Sequence, residues 1–229
     1  MYAPPLVEAC CDSVQTARAA QDFGAGRVEL CGPGDGGTTP SHGLIARCRD
    51  ILRIPVHVMI RPHAGGFIYT DDELSVMAGD ILVAKSLGVD GIVTGPMETA
   101  TTIHREQLAQ LIALARPMKV AFHRAFDLTT NAHSSLEVLL AAGVDYVLTS
   151  GHANTALEGA DMLRHLQERA DDRLTVLAGG RIRGPNVRAL VARSNVHEVH
   201  ARCTDPTIVR DVVLALAEPI DPDLYKAVT

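Results

Sequence analysis

The sequence predicts an α/β protein, a single (β/α)8 TIM barrel, and three observations carry that prediction. Short apolar runs alternate with amphipathic helical stretches eight times along the chain. The repeat is roughly 25 to 30 residues long, the size of one βα unit. Polar residues collect at the C-terminal ends of nearly all the apolar runs, where a barrel builds its site, rather than at the single switch point of an open doubly wound sheet. No GxGxxG follows the first run, which weakens the open-sheet alternative further.

The elements follow in order. Leu6-Val-Glu-Ala-Cys-Cys11 is the first strand, and Asp12 with Gln15 predicts a capped helix over about 13–23, closed by Gly24. Arg27-Val-Glu-Leu-Cys31 comes next, then a Gly-rich loop over 32–40 and a helix over about 41–52. The third strand is 56–62, and Thr70 with Glu73 forms a capping box for a helix to about Leu87, stopped by Gly88. Strand four is 91–95, with its helix at about 104–115. Lys119-Val-Ala-Phe-His-Arg-Ala-Phe-Asp127 supplies the fifth strand, read as extending to Phe126, before a helix over about 132–142. Tyr146 to Gly151 is the sixth strand, whose helix starts at the Thr155/Glu158 capping box. Leu174 to Gly180 is the seventh, with Pro185 in the first turn of its helix. Glu198 to Arg202 is the eighth, and Asp205-Pro206 caps a last helix to about Ala217. A Pro-containing tail, 218–229, is expected to be loosely ordered or to dock on a partner.

At 229 residues and 47% hydrophobic, the chain can bury a large core as one domain, 1–229. A net charge of -6 with scattered basic residues argues against nucleic acid or an anionic membrane as partner. Five cysteines without a CxxC pair point to thiols in a reducing cytoplasm rather than to a disulfide framework. Neither a signal peptide nor an apolar run of about 18 residues is visible, so a soluble cytoplasmic protein is expected.

Strand alternation assigns the interior. Apolar Val7, Ala9, Val28, Leu30, Val58, Ile60 and Val199 belong against the helices, which turns Glu8, Cys10, Glu29, Cys31, His57, Met59, Arg61 and His200 inward. In strand five the bulkier Phe122 belongs outside, so His123 faces the mouth, while Phe126 packs and Arg124 is assigned to helices or a rim carboxylate. Glu8, Glu29, Arg61, His123, Ser150 and His200 give this interior more polarity than packing needs, and buried charges must pair or hold something. The choice is between a self-satisfied network that fixes register and a functional pocket. Asp127 either caps the next turn or touches a ligand. Gly179-Gly180 before a helix offers backbone N–H groups to a phosphate, although no glycine pair after strand eight completes that cup.

Cys10 and Cys31 share parity on adjacent strands about 5 Å apart, a spacing that allows a soft ion such as Cu(I) between them. The plain alternative is two small buried apolar residues. Cys11 and Cys48 are read as structural.

Several strings resemble the CutC family, named for copper homeostasis: Glu8-Ala-Cys-Cys11, Val28-Glu-Leu-Cys31, Gly36-Gly-Thr-Thr-Pro-Ser41, Val58-Met-Ile-Arg-Pro62, Phe122-His-Arg-Ala-Phe-Asp127, Leu148-Thr-Ser-Gly151 and Ala156-Leu-Glu-Gly159. The resemblance implies a cytoplasmic barrel that forms a homo-oligomer, dimer or tetramer, with Cu(I) on Cys10 and Cys31. Two places depart from the family pattern. Arg61-Pro-His-Ala-Gly-Gly66 replaces Arg-Pro-Arg-Gly-Gly-Asp, and His200-Ala-Arg-Cys203 replaces His-x-Ser-Ala. Arg202 is then expected to stand in for the lost cation, and Cys203 to add a third thiol near Cys10.

Two functions compete. One is copper homeostasis through Cu(I) binding. The other is an enzyme acting on a small anionic or phosphorylated metabolite, with Arg61 as anion holder, His123 or His200 as acid/base and Glu8 or Glu29 as carboxylate partner. In that reading Ser150, Asp127, Gly179 and Gly180 complete the substrate contacts.

Overall fold

A computed structural model describes residues 4–34 and 37–218, with the elements β1 (Leu6–Cys11), α1 (Val14–Asp22), β2 (Arg27–Leu30), α2 (His42–Ile51), β3 (Val56–Met59), α3 (Asp71–Ser86) and β4 (Gly91–Thr94) in the first half. A hairpin of β5 (Met97–Thr99) and β6 (Thr102–Ile103) precedes α4 (Arg105–Ala115). Then come β7 (Lys119–Phe122), α5 (Ala132–Ala142), β8 (Tyr146–Thr149), α6 (Ala160–Ala170), β9 (Thr175–Gly179), α7 (Gly184–Ser194), β10 (Glu198–Arg202) and α8 (Pro206–Ala217). Eight parallel strands close in the order β1, β2, β3, β4, β7, β8, β9, β10 and back to β1. The helices form the outer ring, each packed on the next, with α8 returning to α1. This is the expected (β/α)8 barrel. Most of the predicted tail, 219–229, lies outside the described residues.

Two cores separate along the strand alternation. Val7, Val28, Leu30, Val58, Ile60, Phe122 and Val199 pack outward against helices, while Cys31, Met59, Val93 and Ala121 cluster inside the barrel with Cys10 and Tyr146 beside them. The seams agree: Glu8 stands opposite both Arg27 and His200, Glu29 opposite His57, and Gly179 opposite His200. Inward-facing glycines make room for the bulky interior. A Cβ on Gly91 would sit 2.5 Å from the His57 ring, and one on Gly179 would sit 2.5 Å from Leu148.

Three expectations change. Strand β7 stops at Phe122 rather than running to Phe126, because the His123 ring accepts from Ala125 N and starts a 3-10 turn over Arg124–Leu128. Phe122 and Phe126 nonetheless both bury in the outer core. Ser13, not Asp12, caps α1 by accepting from Thr16 N. The Thr155/Glu158 pair does form its two hydrogen bonds, but in the turn ahead of α6, which begins only at Ala160. The Thr70/Glu73 capping box holds as predicted. Unforeseen is the β5–β6 hairpin, where Met97 N donates to Phe67 O and braces the loop after β3 over the barrel mouth.

Candidate active site at the barrel mouth

The lower interior is an ion-paired floor. Arg27, 3% exposed, donates to Glu8 at 2.5 Å and to Glu198 at 2.6 Å and lies 4.6 Å above the Tyr146 ring. Glu8 also contacts His200 Nδ1 at 2.8 Å. Burial alone would raise the Glu8 carboxyl, but Arg27 and the His200 hydrogen bond outweigh it and hold the group well below the usual carboxylate range. His57, packed on Gly91 and Tyr146, is driven by burial, and then by Arg27, to about 4 and is neutral at pH 7.

Above the floor opens a cavity of about 500 Å³. His200 links the two levels, its Nε2 lying 3.7 Å from Glu29 Oε2. Burial pulls His200 down, yet Glu29 and its hydrogen bonds to Cys10 and Glu8 override this and raise it well above the ordinary histidine value. Glu29 itself is raised by burial and by the nearby Glu8 charge. Its second oxygen, Oε1, is buried with no hydrogen-bond partner.

The thiols of Cys10 and Cys31 touch at 3.9 Å on the cavity wall, and Cys31 Sγ lies 3.7 Å from Glu29 Oε2. Donation to Cys31, burial and Glu29 push the Cys10 thiol up. Cys31 gains a lowering from Cys10's hydrogen bond but is still raised by burial and Glu29. Among the described residues two groups could hold a metal, Cys10/Glu29/Cys31 and Glu8/Glu29/His200, each with ligand atoms within 4.8 Å of one another. Arg27 and His200 already occupy Glu8, which leaves the thiol group as the better candidate.

Of the residues singled out in the sequence, Cys10, Glu29, Cys31, Arg61, His123, Gly180 and His200 line this cavity. Glu8 lies beneath it. Ser150 is fully buried and Asp127 nearly so. The Asp127 carboxylate accepts from Ser150 N and Oγ at 3.1 Å, from Thr149 Oγ1, from His152 N and from Arg124 Nε, and thereby ties the β7 turn to the end of β8. Gly179 ends β9 and makes room for Leu148, so only Gly180 reaches the mouth. Cys203 does not supply a third thiol: its sulfur points to Cys11 and to Thr16 O in the helix-facing core.

Arginines are what the interior alternation missed. Arg124 meets its rim carboxylate, Asp127, as expected, but it also lines the cavity with Arg181 and Arg183. Arg61 and Arg202 bring the lining arginines to five, against the carboxylates of Asp12 and Glu29. Arg181 follows Gly180 in a left-handed backbone at φ 56°, uncommon for a side-chain-bearing residue. The Gly180-Arg-x-Arg string after β9 was the available signal, but loop residues carry no alternation to orient them.

The family profile "CutC family" matches residues 5–204. The chain belongs to the CutC family. A CutC family protein of Chromobacterium violaceum is 45% identical over 197 residues, covering 86% of this chain and 80% of that protein. The human copper homeostasis protein cutC homolog is 43% identical, covering 85% and 72%. A crystal structure of CutC from Streptococcus agalactiae superposes with a TM-score of 0.81 at 32% identity, covering 86% of this chain and 97% of that one. A Pyrococcus furiosus phosphoribosylanthranilate isomerase matches at TM-score 0.62 and 15% identity, which speaks for the barrel fold alone. Two thiols beside one carboxylate are a donor set that suits a soft metal ion.

Proposed function

We propose that this CutC protein handles Cu(I) as cargo in the cytoplasm, taking it between Cys10 and Cys31 with Glu29 beside them. The observation that carries the reading is the 3.9 Å contact of two thiols facing one cavity. Soft thiolates select Cu(I) over the hard cations that carboxylates alone would favour. The cysteines are free thiols in every described position, which suits a reducing compartment. Anaerobic Cu(I) titration against a competing chelator tests it. Wild type is expected to take one ion and the Cys10→Ser/Cys31→Ser variant to lose that affinity, whereas equal affinity removes the reading.

A second reading is favoured by the five arginines around the same cavity: an enzyme acting on a small anionic or phosphorylated metabolite. His200, charged at neutral pH, would donate a proton, and Glu29 would exchange one. A thermal-shift panel of anionic metabolites tests this, and no response across the panel counts against it. For the homo-oligomer, the candidate surface is α3, which leaves Val76, Leu82 and Val83 exposed.

A further inference from the structure

His123 stands apart from the thiols and from the ion-paired floor. Its ring lies against Gly95, where a Cβ would come within 2.3 Å, and against Phe67, with ring centroids 4.6 Å apart. Those contacts fix its plane. Ala125 N donates to Nδ1 at 3.2 Å, so Nδ1 carries the lone pair and the proton belongs to Nε2. Nε2 is buried and has no hydrogen-bond partner, in a side chain only 5% exposed that lines the cavity. A buried donor left unmet beside a cavity calls for an explanation, and a ligand acceptor supplies one.

The neighbouring charge says which acceptor. Arg61 is 6% exposed and its guanidinium lies 4.7 Å from the Phe67 centroid, so Phe67 contacts both the imidazole and the cation. Arg61 donates to the carbonyls of Gly37 and Gly65. The cavity's carboxylates, Asp12 and Glu29, come from the β1 and β2 side of the barrel. A neutral hydroxyl would satisfy the imidazole alone, whereas an anionic oxygen would also be attracted by the guanidinium charge beside it.

We infer that an oxyanion, a carboxylate or a phosphate monoester, seats one oxygen on His123 Nε2 beside Arg61, and that His123 is a fixed neutral donor there rather than an acid or base. The inference rests on the second reading above, that the cavity takes a small anion, and it replaces that reading's acid/base role for His123. Burial, and then the Arg61 charge, drive this imidazole to about 3, so it stays neutral across the physiological range. Arg61 is the charged group acting on it, since Phe67, Gly95 and Ala125 carry none. A neutral imidazole polarises an oxygen that gains charge without competing for a proton.

The test is long-range 1H–15N correlation of the imidazoles in the full chain between pH 5 and 8, with inorganic phosphate or malonate as probe. One Nε2-protonated form of His123 is expected throughout, and its Nε2–H resonance should shift with whichever probe binds. His123→Ala should weaken that probe about tenfold or more. His123→Gln keeps an N–H near the same place and should stay within about threefold, which separates a lost donor from a lost fold. An imidazolium forming near pH 6.5, or an Nδ1-protonated form, overturns the inference. A probe that moves the arginine side-chain signals but not Nε2–H also removes it while leaving the anion reading in place. If neither probe moves any cavity signal, both fall.

Discussion

Replacing Arg27 with methionine tests the ion-paired floor. Arg27 and Glu8 are 3% and 1% exposed and meet at 2.5 Å, so removing the guanidinium strands a carboxylate that water cannot reach. The second partner, Glu198, has a side chain 16% exposed and can recover hydration, so the cost concentrates on Glu8. Breaking one side of a buried ion pair costs about 3 to 5 kcal/mol. His200 still faces Glu8 at 2.8 Å, which puts the expected loss near the lower figure, about 3 kcal/mol. Methionine keeps part of the packing on Tyr146, so little of that loss is a cavity effect. In a chain of this size about 3 kcal/mol lowers Tm by roughly 10 °C. Urea unfolding at pH 7, followed by two probes that must coincide, gives the number. The Glu8→Gln/Arg27→Met variant should be more stable than Arg27→Met alone, since it buries no lone charge. A single variant within about 1 kcal/mol of wild type, or a double variant no better than the single, refutes the reasoning.

Gly79 sits exposed inside α3 with nothing within 4 Å of an added Cβ, so Gly79→Ala should stabilise by about 1 kcal/mol and raise the melting temperature; no gain would mean the helix is strained there. Gly95→Ala should do the reverse, because its Cβ would lie 2.4 Å from His123 Nδ1: a loss of about 1 to 3 kcal/mol by thermal melt, with the His123 imidazole signals displaced. Acid should weaken the fold through its buried histidines. Below pH 6.5 the unfolded chain protonates His57 while the folded protein refuses that proton until about pH 4, so stability falls with pH through this window by up to about 3 kcal/mol. His123 adds to the same limb, whereas the stability contributed by the raised His200 is fully present below pH 6.5 and is lost only as pH climbs through its elevated value. Urea midpoints at pH 7, 5.5 and 4.5 measure this, with His57→Gln expected to flatten part of the slope; a midpoint that does not move contradicts it. Val76→Glu/Val83→Glu should shift light-scattering mass toward the monomer if α3 carries the homo-oligomer, and an unchanged mass clears that face.

The barrel and its polar lining were legible because each rests on a short period. Strand alternation turned Glu8, Glu29, Met59 and His200 inward, and side-chain bulk put Phe122 outside; Met59 lies in the inner cluster, Phe122 in the outer core, Glu29 and His200 line the cavity, and Glu8 meets His200 beneath it. Legibility stops where the period stops. Arg124, Arg181 and Arg183 lie beyond strand ends, where direction depends on individual dihedrals such as the left-handed one at Arg181. Cys203, one residue past β10, turned to Cys11 rather than Cys10 for the same reason. Strand β7 ended early because of a side-chain-to-backbone bond at His123 that propensity does not encode. That bond also sets the proton's position, so the histidine's chemistry is invisible until the turn is seen.

The floor also governs traffic. Glu8, Arg27 and His57, all nearly inaccessible, close the barrel below the cavity. If copper binds at Cys10 and Cys31 and an anion at His123, as proposed, both would reach their sites through the upper cavity. A second ligand in that cavity would slow the departure of the first, an effect on rate rather than on affinity unless the two also interact. Under that proposal copper release would be slower in the presence of a small anion, with no hinge or partner required.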